Sequence, residues 1–117
     1  MSSTPAAAAS PAWKALKAHA AQTQDSHLRD LFAADAQRFQ HLSVRWNDWL
    51  FDFSKQRVTP ATMALLQSLW HAADVTGWAA RMRAGEAINH PEGRAVLPTA
   101  LRHGPGGVLH AGRDVMP

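Results

Sequence analysis

A chain of 117 residues can bury about two thirds of its unfolded surface, enough for one modest core or for part of a larger one. With 46% apolar and 18% charged residues it reads as neither a disordered polymer nor a membrane-spanning protein, since no apolar run approaches the roughly 20 residues a spanning helix needs. The formal charge of +3 is dispersed rather than blocked, the chain lacks cysteine, and its N-terminus shows neither the basic nor the long apolar region of a secretion signal, so secretion is not expected. The expectations are therefore no nucleic acid partner, no membrane partner, no disulfide framework and a cytoplasmic location.

Residues 1–10 are Met, Ser, Thr, Pro and Ala, too small and polar to bury a face, and predict a disordered leader. Ser10-Pro11 then supplies a helix start, a capping oxygen followed by proline at the first helical position, with Trp13, Leu16 and Ala20 at helical spacing as far as Thr23. Ser26 is placed to cap a second helix in which Leu28, Leu31, Phe32, Ala36, Phe39 and Leu42 share one face, leaving Arg29, Gln37 and Arg38 outside. From Ser43 the period changes to two: Val44-Arg45-Trp46, a turn at Asn47-Asp48, then Trp49-Leu50-Phe51-Asp52-Phe53 predict a hairpin. Its aromatic face could be a stacking platform, but without a basic groove beside it the expectation is a strand burying Trp49, Phe51 and Phe53 against the helices.

Thr59-Pro60 repeats the start signal and opens a helix whose Met63, Leu66, Leu69, Trp70 and Ala73 predict a buried face. Asp74 is placed to cap a further helix carrying Val75, Trp78 and Met82 and closed by Gly85, with Trp70 and Trp78 read as core. Beyond Gly85 lie five of the seven glycines and four of the seven prolines, which marks a shift from helices to turns. A helix from Arg94 to Arg102 is expected with Pro98 in it, then a turn at Gly104-Pro105-Gly106-Gly107 and a small hairpin over residues 108–115.

Chemistry-bearing residues are sparse. The seven histidines contain no pair three or four apart, the spacing that puts two imidazoles on one helix face, so no metal is assigned. Gly104, Gly106 and Gly107 lack the third glycine of a dinucleotide fingerprint, no Walker motif or nucleophile elbow exists, and no cofactor is expected. Glu86 and Glu92, the only glutamates, flank His90 and could in principle move protons. A structural role is the stronger reading: Glu92 capping the helix from Arg94, and Glu86 binding backbone N–H groups of its own loop.

The loop itself carries a signature. Gly85-Glu86-x-Ile88-Asn89, then Glu92-x-Arg94-Ala95-Val96-Leu97 and Ala100-Leu101-Arg102, closely resembles the N-terminal region of the phosphoglucose isomerase family. Asp52-Phe53-Ser54-Lys55-Gln56-Arg57 is similar to that family's Asp-Tyr-Ser-Lys-Asn pattern. Arg29-Asp30-Leu31-Phe32 with Asp35, Arg38 and Phe39 is similar to its second helix. Three positions depart: Phe53 lacks the tyrosine hydroxyl, Pro98 stands where histidine is common, and Ala111 replaces the aspartate of an Asp-Gly turn.

The resemblance implies a mainly α segment with one or two small hairpins, the N-terminal part (residues 11–117) of an α/β sugar-isomerase (SIS-type) fold, truncated before its catalytic body. It further implies a cofactor-free aldose-ketose isomerase that interconverts glucose 6-phosphate and fructose 6-phosphate in glycolysis and gluconeogenesis, with a sugar phosphate as ligand and a homodimer as assembly. In the family the catalytic and phosphate-binding residues lie downstream, so no catalytic or substrate-binding residue is assigned. Gly85, Glu86, Asn89, Glu92 and Arg94 are expected to form a structural loop. The rival expectation is a stand-alone helical binding module that offers Trp49, Phe51 and Phe53 with Arg45 and Arg57 to an acidic partner or nucleic acid.

Overall fold

The computed structural model describes residues 7–98, 100–102, 106–107, 109–110 and 113–114, which fall into two units, Met1–Ala73 and Asp74–Pro117. The first helix of the first unit, α1 (Pro11–Thr23), starts where the sequence places it: the Ser10 hydroxyl accepts the Trp13 N–H at 3.1 Å. Of the expected leader, residues 1–6 lie outside the described residues. Ala7–Ala9 form one 3-10 turn, whose Ala7 carbonyl accepts the Ser10 hydroxyl at 2.6 Å, and Ser10 is buried.

The single second helix expected from the apolar period is instead two, α2 (Leu28–Ala34) and α3 (Arg38–His41). Asp35 breaks it. Its backbone is extended, one carboxylate oxygen accepts the Gln37 N–H at 2.9 Å, and the other meets His41 Nδ1 at 2.9 Å. A short carboxylate that bonds nearby backbone competes with helix propagation, and here it wins. The cap of α2 also shifts by one residue, to His27, whose Nδ1 accepts the Arg29 N–H at 3.1 Å.

Arg38 is the larger departure: expected outside, it is 2% exposed. Its Nε donates to the Ser54 carbonyl at 2.8 Å, and Nη2 donates to those of Gln56 and Val58, both at 2.7 Å. The Phe32 ring lies 5.4 Å from the guanidinium carbon. Those three carbonyls belong to the turn after the hairpin of β1 (Ser43–Trp46) and β2 (Trp49–Asp52), so one side chain ties the helical layer to the exit of the sheet. Leu42, the one fully buried large apolar side chain among the described residues, sits beside it, and its carbonyl accepts the Phe53 N–H at 2.8 Å.

The hairpin pairs Ser43 with Asp52, Val44 with Phe51, Arg45 with Leu50 and Trp46 with Trp49. Asn47 takes φ +51° in the two-residue turn, as the twist of a tight hairpin demands and as asparagine tolerates. Alternation then places Val44, Trp46, Trp49 and Phe51 on one face. That face is exposed, which corrects the expectation that Trp49 and Phe51 are buried against the helices; only Phe53 is half-buried.

Helix α4 (Pro60–Ala72) begins with a capping box between Thr59 and Thr62 and packs along α1. The Thr62 hydroxyl does double duty: it accepts the Thr59 N–H at 3.0 Å and lies 2.7 Å from His19 Nε2 on α1. The face expected to be buried is only partly so, because Leu66 and Trp70 are exposed.

In the second unit, α5 (Val75–Arg83) is capped by Asp74 in a left-handed conformation, with its carboxylate accepting the Gly77 N–H at 3.2 Å. A Cβ at Gly77 would collide with that carboxylate. Gly85 closes the helix at φ +75°. Among the described residues of 94–102 no α-helix forms; Ala100–Arg102 make one 3-10 segment. Pro98 has no N–H for the Arg94 carbonyl, and that carbonyl accepts the Asn89 N–H at 3.1 Å instead. Two short strands, β3 (Leu109–His110) and β4 (Arg113–Asp114), pair antiparallel within the expected hairpin, while residues 104–105 of the expected turn lie outside the described residues.

Arg38→Ala leaves three carbonyls without their donor and should lower unfolding stability by about 3 kcal/mol, read as a urea midpoint, with Arg38→Lys recovering less than half because it lacks the planar fork. The hydrogen bond from His41 holds the Asp35 carboxyl below its ordinary range, aided by the Gln37 N–H. A depressed carboxyl stabilises above its unfolded value and loses that contribution as pH falls through the folded one. Protection factors over residues 35–41, taken relative to the intrinsic exchange rate at each pH, should therefore fall below about pH 4, and Asp35→Asn should abolish that fall.

Candidate functional site

The loop after α5 is shaped by its turns. Gly93 donates its N–H to the His90 carbonyl at 3.3 Å, closing a turn with Pro91 at the second position, where its fixed φ fits. Gly93 itself takes φ +63°. Asn89 and Arg94 then bond across the neck, N–H to carbonyl in both directions at 3.1 and 3.2 Å, so the segment is a miniature hairpin.

Three of the five residues singled out in the sequence converge here. One oxygen of Glu92, Oε2, accepts Asn89 Nδ2 at 3.0 Å and Arg94 Nε at 3.1 Å, and it also pairs with Arg94 Nη2. Glu92 therefore closes the loop rather than capping a helix from Arg94, which does not form. Glu86 is exposed, and among the described residues its carboxylate reaches no backbone N–H, which corrects its expected role; Gly85 serves α5. The Glu92 and Arg94 side chains are half or more exposed, so their ion pair contributes at most about 1 kcal/mol and acts mainly on loop shape.

Trp78 ties the loop to α5. The Arg81 guanidinium carbon lies 4.3 Å from its ring centroid, and the His90 ring meets it edge-on at 5.7 Å; Arg81 also reaches Asp74 at 3.1 Å. A chain of Asp74, Arg81, Trp78 and His90 thus links helix start to loop tip. Chemically the arrangement holds a shape. Glu92 Oε2 is taken up by Asn89 and Arg94, and among the described residues no three His, Asp or Glu side chains gather to hold a metal.

A sequence model of the family described as phosphoglucose isomerase matches residues 52–117, more than half of the chain and including the whole loop. The chain belongs to the phosphoglucose isomerase family. It is 57% identical over 95 residues to the glucose-6-phosphate isomerase of Dechloromonas aromatica, a stretch covering 81% of this chain and 18% of that protein. It is also 47% identical over 107 residues to that of Chlorobium luteolum and 48% identical over 108 residues to that of Deinococcus deserti, which cover 91% and 92% of this chain. These stretches make 19% and 20% of the two relatives, so the chain spans a fifth or less of the length of the phosphoglucose isomerases it matches.

Within this family segment the sequence signal found the loop but missed Arg38 and the exposed hairpin face. Arginine at that position reads as a polar surface residue, and its partners are backbone carbonyls that leave no mark on residue type. The family match begins at Asp52, whose carboxyl is held below its ordinary range by Ser54, through its side chain and through its N–H at 2.8 Å.

Gly93 supplies a clean test of loop shape. A Cβ there meets nothing within 4 Å, so Gly93→Ala should cost only the positive-φ penalty, about 1 kcal/mol, and Gly93→Asn distinctly less. Amide exchange at Asn89 and Arg94 reads the difference.

Proposed function

We propose that this chain serves as a scaffold segment of an aldose-ketose isomerase that interconverts glucose 6-phosphate and fructose 6-phosphate. The observation that carries the proposal is the 57% identity over 95 residues to a glucose-6-phosphate isomerase of which those residues make only 18%. Moving a proton between adjacent carbons of a sugar phosphate needs a carboxylate base, an acid for ring opening and cations for the phosphate. Among the described residues no such constellation is assembled. In this reading the reactive groups belong to protein beyond these 117 residues, in an α/β body of the sugar-isomerase type, and the sugar phosphate binds there.

The loop of Gly85, Glu86, Asn89, Glu92 and Arg94 then acts as a fixed part of the wall around that body. A cytoplasmic homodimer free of nucleic acid and membrane is the corresponding setting. No helix among the described residues is long and apolar enough to cross a membrane, which is compatible with it. The stand-alone binding module is the weaker reading on geometry. The hairpin register puts Arg45 on the face opposite the Trp49 and Phe51 stack, and Arg57 Nη1 is engaged with the Gln24 carbonyl at 2.6 Å.

The purified chain, assayed with fructose 6-phosphate, should show no turnover. A chimera in which this chain replaces the matching residues of the Dechloromonas aromatica enzyme should keep its activity within about tenfold, a barrier change of about 1.4 kcal/mol. Turnover by the chain alone would overturn the scaffold role, and an inactive chimera would overturn its place in the isomerase.

A further inference from the structure

Among the described residues the apolar face of the β1–β2 hairpin is only partly covered. Val44, Trp46, Trp49 and Phe51 are 57%, 64%, 64% and 43% exposed, and the Trp49 and Phe51 rings stack at 6.3 Å and 16°. The opposite face, Ser43, Arg45, Leu50 and Asp52, carries the polar residues that a solvent-facing side should. Both faces of the hairpin are largely exposed, and the large aromatic residues are gathered on one of them. Contiguous exposed apolar surface of this kind marks an interaction site.

We infer that this face is the docking surface on which the chain seats the remaining body of the isomerase polypeptide. The inference rests on the scaffold reading above. Three observations select this occupant. First, the face holds no charged residue, so an anionic partner such as nucleic acid or a lipid headgroup would find nothing to pair with, whereas an apolar protein surface matches it.

Second, the available area is small. Three partly exposed aromatics and a valine offer on the order of 400 Å², against about 800 Å² per partner in a stable interface between separate molecules. Two copies of the chain meeting through these faces alone would fall well short. A body joined to the hairpin by the same polypeptide pays no translational cost of association, so a patch of this size suffices.

Third, the relatives have a body of sufficient size: the matched stretches are a fifth or less of their length. A run of 95 residues within 117 must include residues 23–95, and so the hairpin lies inside the part shared with the Dechloromonas aromatica enzyme.

The test uses the chimera described above, with and without the double substitution Trp46→Ser and Trp49→Ser. In the active chimera, backbone amides of residues 43–52 should exchange at least tenfold more slowly than in the isolated chain. The double substitution should lower the midpoint of thermal inactivation of the chimera by about 5 °C or more beyond any shift it causes in the circular dichroism melt of the isolated chain. An active chimera with unprotected hairpin amides and an unchanged midpoint would overturn the docking surface and leave the scaffold reading intact. Concentration-dependent dimerisation of the isolated chain that the double substitution abolishes would overturn it too, by giving the face to a second copy. An inactive chimera removes the scaffold reading and this inference with it.

Discussion

One guanidinium holds the first unit together. Arg38 leaves a helix of four residues, too short to persist by its own propensity, and binds three successive-turn carbonyls contributed by residues 54, 56 and 58. A buried cation is costly unless its donors are satisfied, and a turn is costly unless its carbonyls are. Each deficit here is met by the other. The short helix, the hairpin exit and the approach to α4 therefore stand or fall as a group, with Leu42 as the only full apolar anchor among the described residues.

That economy explains why so much apolar surface stays open. Between α3 and α4 a groove of about 700 Å³ is lined by His41, Met63, Leu66 and Trp70, and the hairpin adds its bare face. The segment is held by polar ties, at Arg38, at Thr62 with His19, and at Glu92 with Asn89 and Arg94, rather than by a closed core. Polar ties fix positions without consuming apolar area. In the proposed scaffold role, that combination of defined shape and unspent surface is what completing a larger fold requires.

The parts of this architecture legible in the sequence are those whose cause is local. Ser10-Pro11, Thr59-Pro60 and Asp74 each announce a helix start because the capping oxygen and the N–H groups it serves lie within four residues. The Asn47 turn and the period of two gave the hairpin for the same reason. The break at Asp35 escaped notice because the apolar period runs straight through it, from Leu31 and Phe32 to Phe39 and Leu42. The helix over 94–102 failed because Asn89, upstream of it, claims the carbonyl that Pro98 leaves open. Arg38 was illegible since its acceptors are main-chain atoms 16 to 20 positions away. The loop motif, by contrast, identified the family outright, although it could not say that Glu92 closes the loop through Asn89 and Arg94.

The two-residue turn at Asn47 also has a consequence in time. Hairpins with so tight a connection form within about 1–10 μs, long before the next residue is added by a ribosome working at about 5–20 residues per second. In a polypeptide of the relatives' length, roughly 400 residues would still be unmade when Trp46 and Trp49 emerge, an interval on the order of 20–80 s at that rate. Throughout that interval these two indoles, each 64% exposed in the folded hairpin, have only the first unit to pack against.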